Sequence, residues 1–136
     1  MTSRRINVSS GSAFEADVGY SRAVRVGPLI AVAGTTAPGD DVVAQAREAF
    51  RRIEIALAET GATLADVVRT RMFVTDIDHW PALGAVHREV FGAVRPVSTM
   101  VEVSALISRD LLVEIEVDAY VSDADNSGNR PPASGR

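Results

Sequence analysis

The sequence predicts a single α+β domain: one mixed sheet carrying two helices on one of its faces. Three observations lead there. Two β-branched, apolar runs, Val24–Val26 and Leu29–Ala33, are split by Gly27-Pro28, a turn pair that folds them into a hairpin. A long amphipathic stretch then covers about residues 41–60. The full order reads strand, strand, strand, helix, strand, helix, strand, strand, with two helices of similar length expected to join neighbouring strands. Crossovers of that kind are right-handed, so both helices land on the same side of the sheet.

Each element has its own justification. After the hairpin, Ala37-Pro38-Gly39-Asp40-Asp41 breaks the strand, and Asp40 or Asp41 can cap the next helix by accepting from its free N–H groups. Val42, Ala46, Ala49, Phe50, Ile53, Ala56 and Leu57 recur at spacings of three and four, and Gly61 ends the helix. Arg47, Glu48, Arg51, Arg52 and Glu54 form its solvated face. Val67–Val74 sets Val68, Thr70, Met72 and Val74 against Val67, Arg69, Arg71 and Phe73, a strand expected at the centre of the sheet. Pro81 stands in the first turn of a helix over about 79–91, where its missing N–H is not needed. This helix is expected to bury Trp80, Leu83, Val86, Val90 and Phe91, and Gly92 and Pro96 terminate it. Thr99–Val103 and Leu112–Val121 read as two more strands, joined by a loop around Ser108-Arg109-Asp110.

Composition bounds the chemistry. A length of 136 residues fits one domain, expected over residues 1–121. Residues 122–136 hold many turn formers and no large apolar group, so a disordered tail is expected there. There is no cysteine, which excludes disulfides, thiolate nucleophiles and cysteine metal sites. All 14 basic residues are arginine, so Schiff-base catalysis and a phosphate-loop lysine are excluded as well. With two histidines, a histidine-rich metal site is not expected, and no metal is assigned. The formal charge of −4 counts against nucleic acid as a partner, because phosphate binding needs a basic face. No apolar run approaches the ~20 residues that span a bilayer, and Arg4-Arg5 is not followed by a secretory apolar stretch. A cytoplasmic protein with no membrane partner is the expectation. One sheet face stays uncovered although several strands are apolar on both sides, which predicts a homo-oligomer that packs those open faces together.

No nucleotide loop, catalytic triad or metal-binding helix motif is present, so any chemistry rests on scattered residues. Glu114, Glu116 and Asp118 alternate on the last strand and project from one face. They read either as a solvent-facing polar stripe or, for Glu114, as a general acid/base at a cleft rim. His87 reads as a partly exposed helical histidine or as a proton carrier on the side of the helix that Gly84 shares. Arg69 and Arg71 share a strand face and need anionic partners, either the acids of the last strand or a substrate carboxylate. Tyr20 is a rim aromatic, and Gly34 permits close approach by a ligand or marks a bulge.

Several of these segments together resemble the RidA/YjgF family. Gly19-Tyr20-Ser21-Arg22-Ala23-Val24-Arg25-Val26-Gly27 and Val32-Ala33-Gly34-Thr35-Thr36 are similar to its N-terminal hairpin, and Ala44-Gln45-Ala46-Arg47 to the opening of its first helix. Val68–Ile77 resembles its central strand, and Arg95-Pro96-Val97-Ser98-Thr99-Met100-Val101-Glu102-Val103 with Val113-Glu114-Ile115-Glu116 its C-terminal signature. The resemblance covers about residues 14–121. It implies a chorismate-mutase-like fold, a homotrimer and substrate clefts between subunits. It further implies hydrolysis of enamine or imine intermediates such as 2-aminoacrylate to a 2-keto acid and ammonia, with no metal or cofactor. In that picture an arginine binds the substrate carboxylate and a glutamate on the last strand positions the attacking water.

The match breaks where that arginine belongs, for Ser98 stands there. Gly84 replaces a helix asparagine, Ala33 a frequent serine, and Met100 a small pocket residue, whereas Tyr20, Gly34 and Glu114 match. The link from Gly34 to Gln45 is also shorter than the family's. A desolvated charge-assisted pair is worth about 1.5–3 kcal/mol, so its loss points to a changed substrate. The expectation is a larger or less acidic imine, enamine or conjugated carbonyl compound, turned over by hydrolysis or proton-shuttled cyclisation. Glu114 and His87 are the catalytic candidates; Tyr20, Ala33, Gly34, Thr35, Gly84, Ser98, Met100 and Arg71 are the substrate-binding ones. The alternative is a non-catalytic trimer that binds a metabolite.

Overall fold

The computed structural model describes residues 4–122. The expected tail lies outside them except for Ser122. Six strands form one sheet: β1 (Arg5–Val8), β2 (Ala23–Val26), β3 (Leu29–Thr35), β4 (Val67–Val74), β5 (Val97–Glu102) and β6 (Val113–Tyr120), in the order β1-β2-β3-β6-β4-β5. Every neighbouring pair is antiparallel except β4 and β5, which run parallel with Thr70 beside Ser98. Three helices accompany the sheet: α1 (Ala13–Val18), α2 (Val42–Glu59) and α3 (Trp80–Phe91).

The core forms where α2 and α3 cover one face. Val113, Ile115, Val117 and Ala119 of β6 are buried, as are Thr70, Met72 and Val74 of β4. They meet Ala46, Ala49, Phe50, Ile53, Ala56 and Leu57 from α2, and Leu83, Val86 and Phe91 from α3. The caps explain where α2 starts and stops. Asp41 Oδ1 accepts from Ala44 N at 2.8 Å, and Gly61 leaves the helix at φ 87°, a conformation that spares glycine a Cβ clash.

Four expectations are corrected. A third helix, α1, precedes the hairpin; its six residues are too few for a periodic pattern to show, and its start is held by Ser12 capping Phe14 N. β4 is not central, because β6 inserts between β3 and β4. Strict alternation fails at Val68, which is exposed because the register against β6 shifts between Val67 and Arg69. Trp80 is 60% exposed; as the first residue of α3 it stands at the helix end, before the buried stripe of Leu83, Val86 and Phe91 begins.

The opposite sheet face is open. Val97, Val101, Leu29 and Tyr120 stand exposed on it or at its margin. Arg69 and Arg71 face the last-strand acids. Arg71 Nη1 lies 3.2 Å from Glu116 Oε1 and 3.4 Å from Asp118 Oδ2, and Arg69 Nε lies 3.7 Å from Asp118 Oδ2. All four side chains are 32–44% exposed, so this cluster adds little stability.

Candidate active site

A bulge in β3 shapes the main groove. The β3–β6 register shifts between Val32 and Thr35, and Gly34 sits in that irregular stretch. The Glu114 side chain lies over it. A Cβ on residue 34 would stand 2.9 Å from the Glu114 carboxyl carbon, so any larger residue there would have to push the Glu114 carboxyl aside. The groove has a volume of about 990 Å³ and runs from this point past residues 9–12 and α1 to Arg52, Ile55, Ala56 and Glu59 on α2. Tyr20, Ala33, Gly34, Thr35 and Glu114 all line it.

The Glu114 carboxyl is held above the ordinary carboxylate range. Removal from water is the main cause, the neighbouring Glu116 charge adds to it, and Arg22 opposes both. Arg22 is a groove residue that the sequence reading passed over. Its Nη1 donates to Gly34 O at 2.9 Å and Thr35 Oγ1 at 3.0 Å, stitching the bulge from the β2 side. Its guanidinium lies 5.8 Å from the Tyr20 ring centroid. Behind it Glu15 is buried, accepting from Ser9 Oγ at 2.9 Å and from the Ser10 backbone and hydroxyl. These bonds hold Glu15 below its usual pKa despite burial. Glu15 thus ties the 9–12 loop, α1 and Arg22 into one wall. The Gly19-Tyr20-Ser21-Arg22 run carried this information, but nothing in it says that an arginine would turn onto backbone carbonyls.

The remaining candidates lie elsewhere in the same chain. A second pocket of about 290 Å³ is lined by Gly84, His87, Arg88, Phe91, Gly92, Arg95 and Pro96. His87 Nε2 is 2.9 Å from Thr70 Oγ1, and Thr70 donates to Ser98 Oγ at 2.7 Å. Thr70 Oγ1 thus sits between the His87 ring nitrogen and Ser98 Oγ. The ring packs against Phe50 and Phe91, with centroids 6.2 and 5.0 Å away, and burial lowers the His87 pKa. Met100 packs against the core. Arg71 is engaged by Glu116 and Asp118. Within one chain, therefore, Glu114 and His87 belong to different cavities.

Residues 10–121 match the family model described as endoribonuclease L-PSP. This chain belongs to that family, the YjgF/RidA family. A solved Mycobacterium tuberculosis member of the YjgF/YER057c/UK114 family superposes with a TM-score of 0.86 at 67% identity, covering 87% of this chain and all of that one. An uncharacterised Streptomyces coelicolor protein is 39% identical over 93% of this chain and its own full length. A Salmonella typhimurium relative named 2-iminobutanoate/2-iminopropanoate deaminase is 29% identical over 74% of this chain and 85% of its own length.

Membership of the YjgF/RidA family settles the expected fold. The mixed sheet with helices on one face is that of YjgF-family structures. Among the described residues, no helix is long and apolar enough to cross a membrane. No three His, Asp or Glu side chains among them converge in a manner that suits a metal ion.

Proposed function

We propose that this YjgF/RidA protein is a cofactor-free hydrolase of imine or enamine intermediates, with Glu114 as its general acid/base. The observation that carries the reading is the placement of Glu114: a half-buried carboxyl, raised in pKa, at the inner wall of a groove wide enough for a small metabolite. Burial that raises the pKa of a carboxyl favours its protonated form, the form a general acid needs.

The chemistry balances without a further reactant. The Glu114 carboxylic acid protonates the enamine carbon and gives an iminium ion. The resulting carboxylate takes a proton from water as its oxygen attacks the iminium carbon. The carbinolamine then collapses to a carbonyl compound and ammonia. Tyr20 stands at the rim, Ala33 and Thr35 flank the floor, and Gly34 leaves the approach to Glu114 open. At about 990 Å³ the groove accommodates substrates larger than 2-aminoacrylate.

The reading includes a cytoplasmic homotrimer. The open face with exposed Val97 and Val101 supports association, and clefts between subunits would bring His87, Gly84, Ser98 and Met100 of one copy toward the groove of the next. His87 then assists as a neutral hydrogen-bonding group. Ribonuclease chemistry is disfavoured by the formal charge of −4 and by the acids Glu116 and Asp118 beside Glu114.

The test is turnover of imines generated in situ, 2-iminobutanoate beside bulkier analogues, by the wild-type protein and Glu114→Gln. The reading expects a preference for the bulkier imines and a loss of about 10²-fold or more in kcat for the variant. Unchanged turnover in Glu114→Gln removes Glu114 from the mechanism. Binding of the keto acid with no acceleration of any imine points instead to a metabolite-binding protein.

A further inference from the structure

The groove wall behind Gly34 holds a charge pair to which the proposed chemistry gives no part. Arg22 is fixed through both its backbone and its side chain. Its N donates to Val8 O at 2.8 Å and its carbonyl accepts from Ala33 N at 2.9 Å, so the residue is tied to β1 and to β3 just before β2 begins. Its Nη1 donates to Gly34 O and Thr35 Oγ1, and its Nη2 reaches Tyr20 Oη at 3.5 Å. Its Nε lies 3.8 Å from Glu15 Oε2, and the two side chains are only 15% and 6% exposed. A guanidinium held at so many points is a charge of fixed position, unlike one on a free surface arm.

That charge stands beside Glu114. The carbonyl that Nη1 binds belongs to Gly34, the residue against which the Glu114 carboxyl packs. The other charged groups near Glu114 are engaged elsewhere. Glu116, on the same strand, pairs with Arg71 of β4, and the β4 residue opposite Glu114 is Phe73. β3 carries no ionisable side chain. From α2, Glu59 and Arg52 line the groove, and Arg52 is bound to Glu48 at 3.3 Å and to Thr36 O at 3.0 Å. Glu15 gives its oxygens to Ser9 and Ser10 and stands beyond hydrogen-bond reach of Arg22, so it offsets the guanidinium charge only in part.

We infer that Arg22 is a positioning residue that supplies the fixed positive charge for the carboxylate form of Glu114, and that Glu15 sets how much of that charge Glu114 feels. A charge already in place in a wall sheltered from water acts without reorganisation when its partner ionises. In the hydrolysis proposed above, Glu114 gives up a proton and then takes one back. Burial serves the protonated half of that cycle and Arg22 the charged half, in keeping with the downward pull of Arg22 on the Glu114 pKa. The use of this device rests on the reading of Glu114 as an acid/base, but its measurement does not.

The experiment is carboxyl-carbon NMR of the full-length protein, labelled at glutamate and titrated from acid to neutral pH. Arg22→Met should raise the Glu114 midpoint above that of wild type, Arg22→Lys should return it toward the wild-type value, and Glu15→Gln should lower it. Opposite shifts from two neighbours in one wall are not what loosened packing would give. Where the methionine variant fails to fold, Glu15→Gln decides, because glutamine keeps the shape of the side chain and removes only its charge. The pH at which imine turnover changes should move in the same direction as the midpoint in each variant. An unmoved midpoint in Arg22→Met, or one that falls toward 4.5, would overturn the inference by showing that Arg22 only holds the bulge. A Glu15→Gln midpoint at or above that of wild type would overturn it as well. Absence of imine turnover in the wild-type protein would remove the hydrolase reading and leave the three midpoints to be judged by themselves.

Discussion

The two cavities treat their titratable groups in the same way and for different ends. Glu114 in the groove and His87 beside α3 are both half-buried, and loss of water is the first cause of each shift. An acid is raised and a base lowered, so both move toward the neutral form. Their surroundings differ. Glu114 is flanked by Glu116 and Arg22, charges that pull its pKa in opposite directions. His87 touches a neutral hydroxyl and two phenyl rings.

The comparison breaks most severely at Gly34. Gly34→Val drives a side chain into the Glu114 carboxyl. We expect near-complete loss of imine turnover and about 1–3 kcal/mol of destabilisation in denaturant melts. Retained activity would mean that Glu114 works from another position. Glu114→Gln separates activity from stability. A raised acid pKa makes the folded state bind its proton more tightly than the unfolded chain, so stability is full below 4.5 and falls as pH rises through the folded value. The glutamine variant should therefore be at least as stable as wild type at neutral pH while losing turnover, and a large drop in Tm would contradict this.

Changes on the α3 side should be smaller. Thr70→Val removes the hydroxyl between His87 and Ser98 and leaves the His87 Nε2 without that partner in a half-buried site. A loss of about 1 kcal/mol is expected, with the groove unaffected. His87→Phe should have the slightest effect at neutral pH. Its signature is the pH profile: a lowered histidine pKa gives stability that is full above 6.5 and lost as pH falls from there toward the folded value. The variant should lack that loss, and an unaltered profile between pH 7 and 5 would show that His87 is not buried in solution.

Much of the fold was legible because burial is periodic. The stripe from Val42 to Leu57 and the alternation of Val113 to Ala119 are one-dimensional records of a face, and both faces are where they were expected. The failures are tertiary. Val68 is turned out by a register shift that no local pattern encodes, and Trp80 is exposed although its spacing from Leu83 is that of a core residue. Of the candidates proposed from the sequence, Tyr20, Ala33, Gly34, Thr35 and Glu114 line one groove. Arg22 and Glu15 were not, because their roles rest on backbone carbonyls and loop hydroxyls brought near only by folding. Nor could the sequence separate His87 from Glu114, which line different cavities of one chain.

The central claim is that the Glu114 carboxyl is held in a groove that disfavours its charge. Carboxyl-carbon NMR of selectively labelled protein, titrated from acid to neutral pH, tests it without a substrate. The account predicts a Glu114 midpoint above 4.5 that moves down in Glu116→Gln. A midpoint at or below 4.5, indifferent to Glu116, would contradict it.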